Sequence, residues 1–296
     1  MPGAGEIRVL RRRIRSVKST QKITRAMELI AASRINRARR AVEAARPYAD
    51  MVTRVIADLA TENEVVSHPL FAPHPEMRRV GIFVITSDRG LAGAYNTNVL
   101  RRADRLIASE REAGREVAMY ALGRKAESYL RYRGEPLAHV WNGISDRPGY
   151  ADAQDVARRV MADYGSMELD RVWMVYTDFK SALTQVSATV QLLPVDPAAL
   201  QGGQAFPPQF IFEPDAGTIL EQLIPKYVEQ RIYAGLLESA ASEHASRQRA
   251  MKAATDNAGD IIDDLTREAN RARQGAITTE ISEIVGGAEA LGGRTR

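Results

Sequence analysis

A small α/β domain set between two long helices that pair as an antiparallel coiled coil is the fold class this sequence predicts. Three observations predict it. The two ends of the chain repeat small and apolar residues at heptad spacing over many turns. The middle has a different composition, with short β-branched runs alternating with helix-like segments. The two helical ends must both meet that middle, so they leave it side by side and antiparallel.

The N-terminal element covers residues 1–60. Every seventh residue from Leu10 gives Val17, Thr24, Ala31, Ala38, Ala45, Val52 and Leu59. A companion series runs Ile7, Ile14, Gln21, Glu28, Ile35, Val42, Ala49 and Ile56. Together they make an a/d seam that is small in side chain and polar between Gln21 and Glu28. Pro47 interrupts the pattern and is expected to bend the helix or loosen one hydrogen bond.

The C-terminal element covers residues 213–290. Glu213-Pro214-Asp215 is a good opening, with proline in the first turn and acids near the positive end of the dipole. Ala258, Leu265 and Ala272 form one heptad series, and Ile262, Ala269 and Ala276 the other, so two backbones can approach closely. Pro225, Gly235, Gly259 and Gly275 are tolerable, and Gly286-Gly287 with the tail LGGRTR is expected to end the helix. This helix outruns its partner by roughly fifteen to twenty residues, an overhang of about 25–30 Å at the α-helical rise. The geometry expected is a foot, a stalk and a protruding single-helix tip.

Residues 77–195 form the domain between them. Val80–Thr86 is a buried-strand run, followed by the loop SDRGLAGAYN and a helix over about 98–113. A second strand covers 117–122, helices cover 123–132 and 152–164, and a third strand covers 172–177. QVSATVQLL at 185–193 alternates as an edge strand does. The order implies a mainly parallel, Rossmann-like sheet. Pro194–Pro208 reads as a flexible connection.

Several function classes are excluded by composition. With 296 residues, 45% of them hydrophobic, the chain can bury one or two real cores. It has no cysteine, which removes disulfides, thiolate metal sites and a thiol nucleophile. No uncharged apolar run is long enough to span a bilayer, and the charged N-terminus has no apolar segment of the secretory kind. A cytosolic setting is expected. His68, His74, His139 and His244 are too scattered for a histidine-rich metal centre, and neither cofactor nor metal is expected.

Three places carry chemistry worth weighing. The loop Ser87–Asn96 lies between a strand and a helix, where α/β proteins bind phosphates, but it holds neither GxGxxG nor GxxxxGK[ST]. A glycine-permitted tight turn is the plainer reading. Asp88 and Arg89 could be a catalytic pair, though no third partner is visible, and an internal salt bridge or cap accounts for them as well. In the N-terminal helix Arg8, Arg15 and Lys22 are seven apart, as are Arg11, Lys18 and Arg25, and Glu28 is the one acid between Ile7 and Val42. This cationic stripe seeks an acidic partner. Nucleic acid is its generic target, making a basic coiled-coil nucleic-acid binder the alternative reading, but stacking aromatics are missing before Tyr48. Near the C-terminus, Arg273, Gln274, Thr278 and Glu280 lie on neighbouring helix faces. They are either simply solvated or part of a smooth tip turning inside a close-fitting sleeve, and the residues alone leave both open.

Segments spanning the chain in order resemble the gamma subunit of F-type rotary ATP synthases, bacterial type. They are IRSVKSTQKITRAMELIAASRI, ARPYA at 45–49, SDRGLAGAYN, GRKAESYL, SRQRAMKAATDNAGDIIDDL and ARQGAITTEISEIVGGAEAL. The resemblance implies a non-catalytic central-stalk rotor that couples proton-driven rotation to the catalytic sites of the enzyme. It implies three alpha and three beta subunits, an epsilon subunit and the membrane ring of c subunits as partners, with nucleotides bound by alpha and beta. It places the chain at the cytoplasmic face of the bacterial plasma membrane, without a span of its own. By matched position, the beta-subunit contacts are Lys22, Arg25, Met27, Arg247, Arg273, Gln274, Thr278 and Glu280. Ala92 stands where many relatives have cysteine, and the cysteine-bearing insertion of chloroplast relatives is absent.

Overall fold

The computed structural model describes residues 2–59, 69–196 and 216–292. The expected helix opening at Glu213–Asp215, His68, and the connection from residue 197 onward lie outside the described residues. The elements in order are α1 (Pro2–Leu59), β1 (Arg79–Ile85), α2 (Tyr95–Glu112), β2 (Glu116–Leu122), α3 (Arg124–Tyr132), β3 (Leu137–Trp141), α4 (Tyr150–Gly165), β4 (Arg171–Phe179), β5 (Gln185–Leu193) and α5 (Ala216–Gly292). They fall into two compact units, one drawn from Met1–Ile30 with Gln248–Arg296, the other from Ala31–Arg247.

In the first unit the helices pair antiparallel: Thr24 Oγ1 and Thr255 Oγ1 share a hydrogen bond of 2.8 Å, and Gln21 Nε2 donates to the Thr255 carbonyl at 3.4 Å. On α1 Ile7, Leu10, Ile14, Val17, Gln21, Thr24 and Glu28 are buried or half-buried, a seam at heptad spacing, with Met27 half-buried beside it. On α5 the matching seam is Met251, Thr255, Ala258, Ile262, Leu265, Ala269, Ala272 and Ala276. Every described side chain after Ala276 is exposed, so the paired part of the helix stops there.

The second unit is built on a five-stranded sheet in the order β3-β2-β1-β4-β5. β1 runs parallel to β2 and β4, β2 parallel to β3, and β5 antiparallel to β4. β1 and β2 are each buried from their second residue onward, as strands covered on both faces must be. One face packs under α2 and α3 through Val99, Ala103, Ile107, Ala126 and Leu130. The other packs under α4 together with Val52 and Ile56 of α1 and the stripe Leu220, Ile224, Val228, Ile232 and Leu236 of α5. Two glycines make this closeness possible. A Cβ at Gly235 would lie 2.7 Å from Met174 Cε, and one at Gly123, whose φ is +91°, would lie 2.4 Å from the Thr86 carbonyl oxygen.

Three expectations need correction. β3 is a strand that the sequence reading leaves out: a short edge strand of mixed composition, without a long β-branched run. α2 starts at Tyr95, three residues before the expected start. α5 continues through Gly286-Gly287 to Gly292. Glycine weakens a helix by about 1 kcal/mol but stops it by turning left-handed, and Gly286 does not adopt positive φ. Pro47 sits inside α1 with helix on both sides, so any loosening there does not break the element.

Candidate partner-binding and joint residues

The order of the strands reverses at β1 and β4, which are parallel neighbours reached by crossovers on opposite faces. β1 leads through α2 to β2 on one side, and α4 crosses the opposite face to return at β4. In doubly wound sheets the crevice beyond the carboxyl ends of two such strands is the usual ligand site. Here α5 fills it. Ser239 Oγ accepts a hydrogen bond from the Thr177 amide at 3.3 Å, and Ser242 Oγ donates to the Thr177 carbonyl at 3.4 Å. Arg247 Nη2 donates to the Gly90 carbonyl at 3.2 Å, and burial of Tyr95 among these groups pushes its hydroxyl pKa far up.

The Ser87–Asn96 loop is tied into this arrangement. The Asp88 carboxylate accepts hydrogen bonds from the Gly143 amide at 3.0 Å, the Ser145 hydroxyl at 2.9 Å and the Arg124 amide at 3.2 Å. Burial alone would raise the Asp88 pKa, but those donors outweigh it and hold the carboxyl below its ordinary value. Arg89 turns away from Asp88 and bonds Asp146 at 2.7 Å. Of the two readings of this pair, the geometry favours cap and salt bridge.

Asp146 gathers more partners. Its carboxylate also accepts from Arg34 of α1, and its backbone carbonyl meets His244 Nε2 of α5 at 3.2 Å. Burial works to raise its pKa, but the Arg89 and Arg34 guanidiniums outweigh it and hold the carboxyl below its ordinary value. Burial holds the His244 imidazole below its usual value, so it stays neutral and Nε2 donates. Ligand-type atoms of Asp146, Glu243 and His244 lie within 4.8 Å of one another, a proximity the scattered histidine positions do not announce. Each carboxylate, however, is already paired with a guanidinium: Asp146 with Arg34 and Arg89, and Glu243 with Arg247 at 2.7 Å. The charge a cation would neutralise is met from within the chain.

The sequence-derived contact residues do not form one site. Lys22 and Arg25 are exposed on α1 beside Arg8, Arg11, Arg15 and Lys18, and Met27 is half-buried. Arg25 Nη1 pairs with Glu28 at 2.9 Å, so the stripe is partly self-neutralised at that turn. Arg273, Gln274, Thr278 and Glu280 are exposed on α5, with the Thr278 hydroxyl spent on the Gln274 carbonyl at 3.0 Å. Arg247 differs from the expectation of a surface contact. It is 6% exposed, held between Glu243 and the Gly90 carbonyl. Sequence reading also passes over an exposed apolar group, Ile277, Ile281, Ile284 and Val285. Their spacing puts them along one side of the helix, and that spacing was the available signal.

These features define a class of protein: one whose sheet serves to hold long helices, with the customary ligand crevice filled by one of them. Comparison with known proteins makes the class specific. The family model for ATP synthase matches residues 6–291. The chain is 52% identical over 298 residues to the ATP synthase gamma chain of Parafrankia sp. (strain EAN1pec), covering 97% of this chain and 98% of that one. It is 51% identical over 302 residues to the ATP synthase gamma chain of Frankia casuarinae, covering 99% and 100%. Among solved structures, a chain of the Tetrahymena thermophila mitochondrial ATP synthase central stalk and c-ring matches with TM-score 0.62 and 27% identity, covering 78% of this chain and 99% of that one. A chain of the Euglena gracilis mitochondrial enzyme shares the fold at TM-score 0.67 and 16% identity, covering 99% and 97%.

The chain belongs to the ATP synthase gamma chain family. Its function is that of a central-stalk rotor subunit in rotary ATP synthesis. The nucleic-acid alternative has no support, since the relatives and structures above are all ATP synthase chains.

Proposed function

We propose that this chain carries rotation from a membrane ring of c subunits to the catalytic beta subunits, with three alpha and three beta subunits around its helices and epsilon on its sheet domain. The enzyme would stand on the cytoplasmic face of the plasma membrane, with this chain peripheral: among the described residues no helix is long and apolar enough to cross a bilayer.

The observation that carries the reading is where pairing ends. α5 continues to Gly292, yet after Ala276 it presents Ile277, Ile281, Ile284 and Val285 to solvent at 47–72% exposure. Such a side on an unpaired helix is stable in water only at a cost, and a surrounding apolar collar removes that cost. Arg273, Gln274, Thr278 and Glu280 then supply polar contacts at one level. Lys22, Arg25 and Met27 supply them at another, where the cationic stripe suits acidic beta-subunit segments. Arg247 acts from inside, holding the Gly90 carbonyl in place beneath exposed Leu91. A shaft with different contacts on each side biases each catalytic site toward a different state, because only differential contacts shift an equilibrium.

Tagged chain expressed in its host should co-purify with alpha and beta subunits, and their absence would sink the assignment of partners. Met27→Lys adds a cation where a beta carboxylate would grip the shaft. Protons pumped per ATP hydrolysed should fall in membrane vesicles, and an unchanged ratio would remove Met27 from the interface.

A further inference from the structure

We propose that Asp146 is a positioning residue that locks both long helices to the sheet domain against twist. The rotor role is taken as given, and the proposal concerns how the chain withstands the torque that role implies. The apolar contacts of Val52, Ile56 and the Leu220–Leu236 stripe with the sheet hold the helices on. Such contacts are non-directional, so they oppose separation far better than sliding. Directional bonds must oppose the sliding, and they converge on the loop between β3 and α4.

Asp146 in that loop is bonded to three elements distant in sequence. Arg34 of α1 grips its carboxylate; Arg89, in the loop after β1, bonds Oδ1 at 2.7 Å; and His244 of α5 bonds its backbone carbonyl at 3.2 Å. The site is preorganised rather than a chance surface ion pair. Asp88 holds the Gly143 and Ser145 amides at 3.0 and 3.3 Å, and Ser145 Oγ accepts the Asp88 amide at 2.9 Å. His244 is 2% exposed, and the Arg34 and Asp146 side chains are about one-third exposed. A second directional tie, Arg247 to the Gly90 carbonyl, lies in the loop after β1, next to Arg89. Charge-assisted bonds of this kind are shorter and stronger than neutral ones and fix geometry as well as energy. The SDRG segment therefore builds a mechanical joint at the place where related folds build a ligand site.

The test uses the assembled enzyme in lipid vesicles. A nanorod on the membrane ring reports the angular spread of the rotor while the catalytic sites are stalled. Asp146→Ala should broaden that spread, and Arg89→Ala should broaden it less, while ATP hydrolysis without load stays at the wild-type rate. The chain has no cysteine, so Arg34→Cys with Asp146→Cys can be bridged by a short bis-maleimide. That pair should be broad before bridging and narrow after it, which a general loss of stability would not produce. Wild-type spread in Asp146→Ala, or a bridge that leaves the spread broad, would overturn the proposal. Should Asp146→Ala fail to assemble, Arg89→Ala and the bridged pair decide the matter by the same criterion. An absence of rotation in the wild type would instead count against the rotor role itself.

Discussion

Glu238 and Arg247 show how unevenly α5 distributes its charges. Glu238 is pushed up to about 7 by burial first and by the Asp178 carboxylate second, against partial compensation from Arg46, Lys180 and Arg231. Its Oε2 has no hydrogen-bond partner among the described residues. A carboxyl whose folded pKa lies above its unfolded value of about 4.5 keeps its proton in the folded chain, so stability falls as pH rises from 4.5 towards 7. Glu238→Gln, which never ionises, should therefore be more stable than wild type above pH 7, on the order of 2 kcal/mol, with the gain vanishing below about pH 4.5. Denaturant titrations across that range check it, and a gain that persists in acid would show that charge is not the cause. Arg247 is the opposite case. Its removal leaves the Glu243 carboxyl, 1% exposed, without its partner. Arg247→Ala should cost about 3 kcal/mol, because breaking a buried pair leaves an uncompensated group behind. Replacing both residues by apolar ones of similar volume should cost less, and equal losses would argue against the pair as the cause.

At the scale of elements, α1 and the Ala258–Ala276 part of α5 follow a heptad rule that was legible in the sequence residue by residue. Leu10, Thr24, Ala31, Val52 and Glu28, Ile35, Val42, Ile56 are all buried, and they are members of the two series read from spacing alone. Ala258 and Ile262 are buried likewise, and pairing stops at Ala276 as the unequal helix lengths required. Truncation after Ala276 should therefore leave the unfolding free energy of the isolated chain within about 0.5 kcal/mol of the full-length value, since every described side chain it removes is exposed. A large drop in stability would mean that the end of α5 folds back onto the rest. What spacing could not show is equally specific. β3 carries Leu137, Ala138 and His139 in a five-residue edge strand, and its best signal was the turn-like Asn142-Gly143 that follows. Gly286-Gly287 misled because glycine ends a helix only where it turns left-handed, and Gly286 does not adopt positive φ.

For the whole molecule, the consequence of α5 lying across β1 and β4 is chemical. The purified chain should release no phosphate from ATP at a rate above the uncatalysed background, and activity should appear when the nucleotide-binding subunits are supplied. Sustained hydrolysis by the chain alone, abolished by Asp88→Asn, would reopen the enzyme reading of the Ser87–Asn96 loop.

By itself the sequence determined the periodic features: two heptad helices of unequal length, a parallel α/β core between them, a cationic stripe, and the segments that carry the family resemblance. Those signals are local or regular, and a repeat of seven or an alternation of two can be read along one stretch of chain. The tertiary structure alone decided what Asp88, Arg89, Asp146, His244 and Arg247 do. Arg34 and Asp146 are separated by 112 positions, and Arg247 and Gly90 by 157. No spacing rule links residues that far apart. They meet because the order of the strands brings β1, the loop after β3 and α5 to one end of the sheet, where the tight turn at Ser87–Asn96 is tied to α5 and Arg247 is buried.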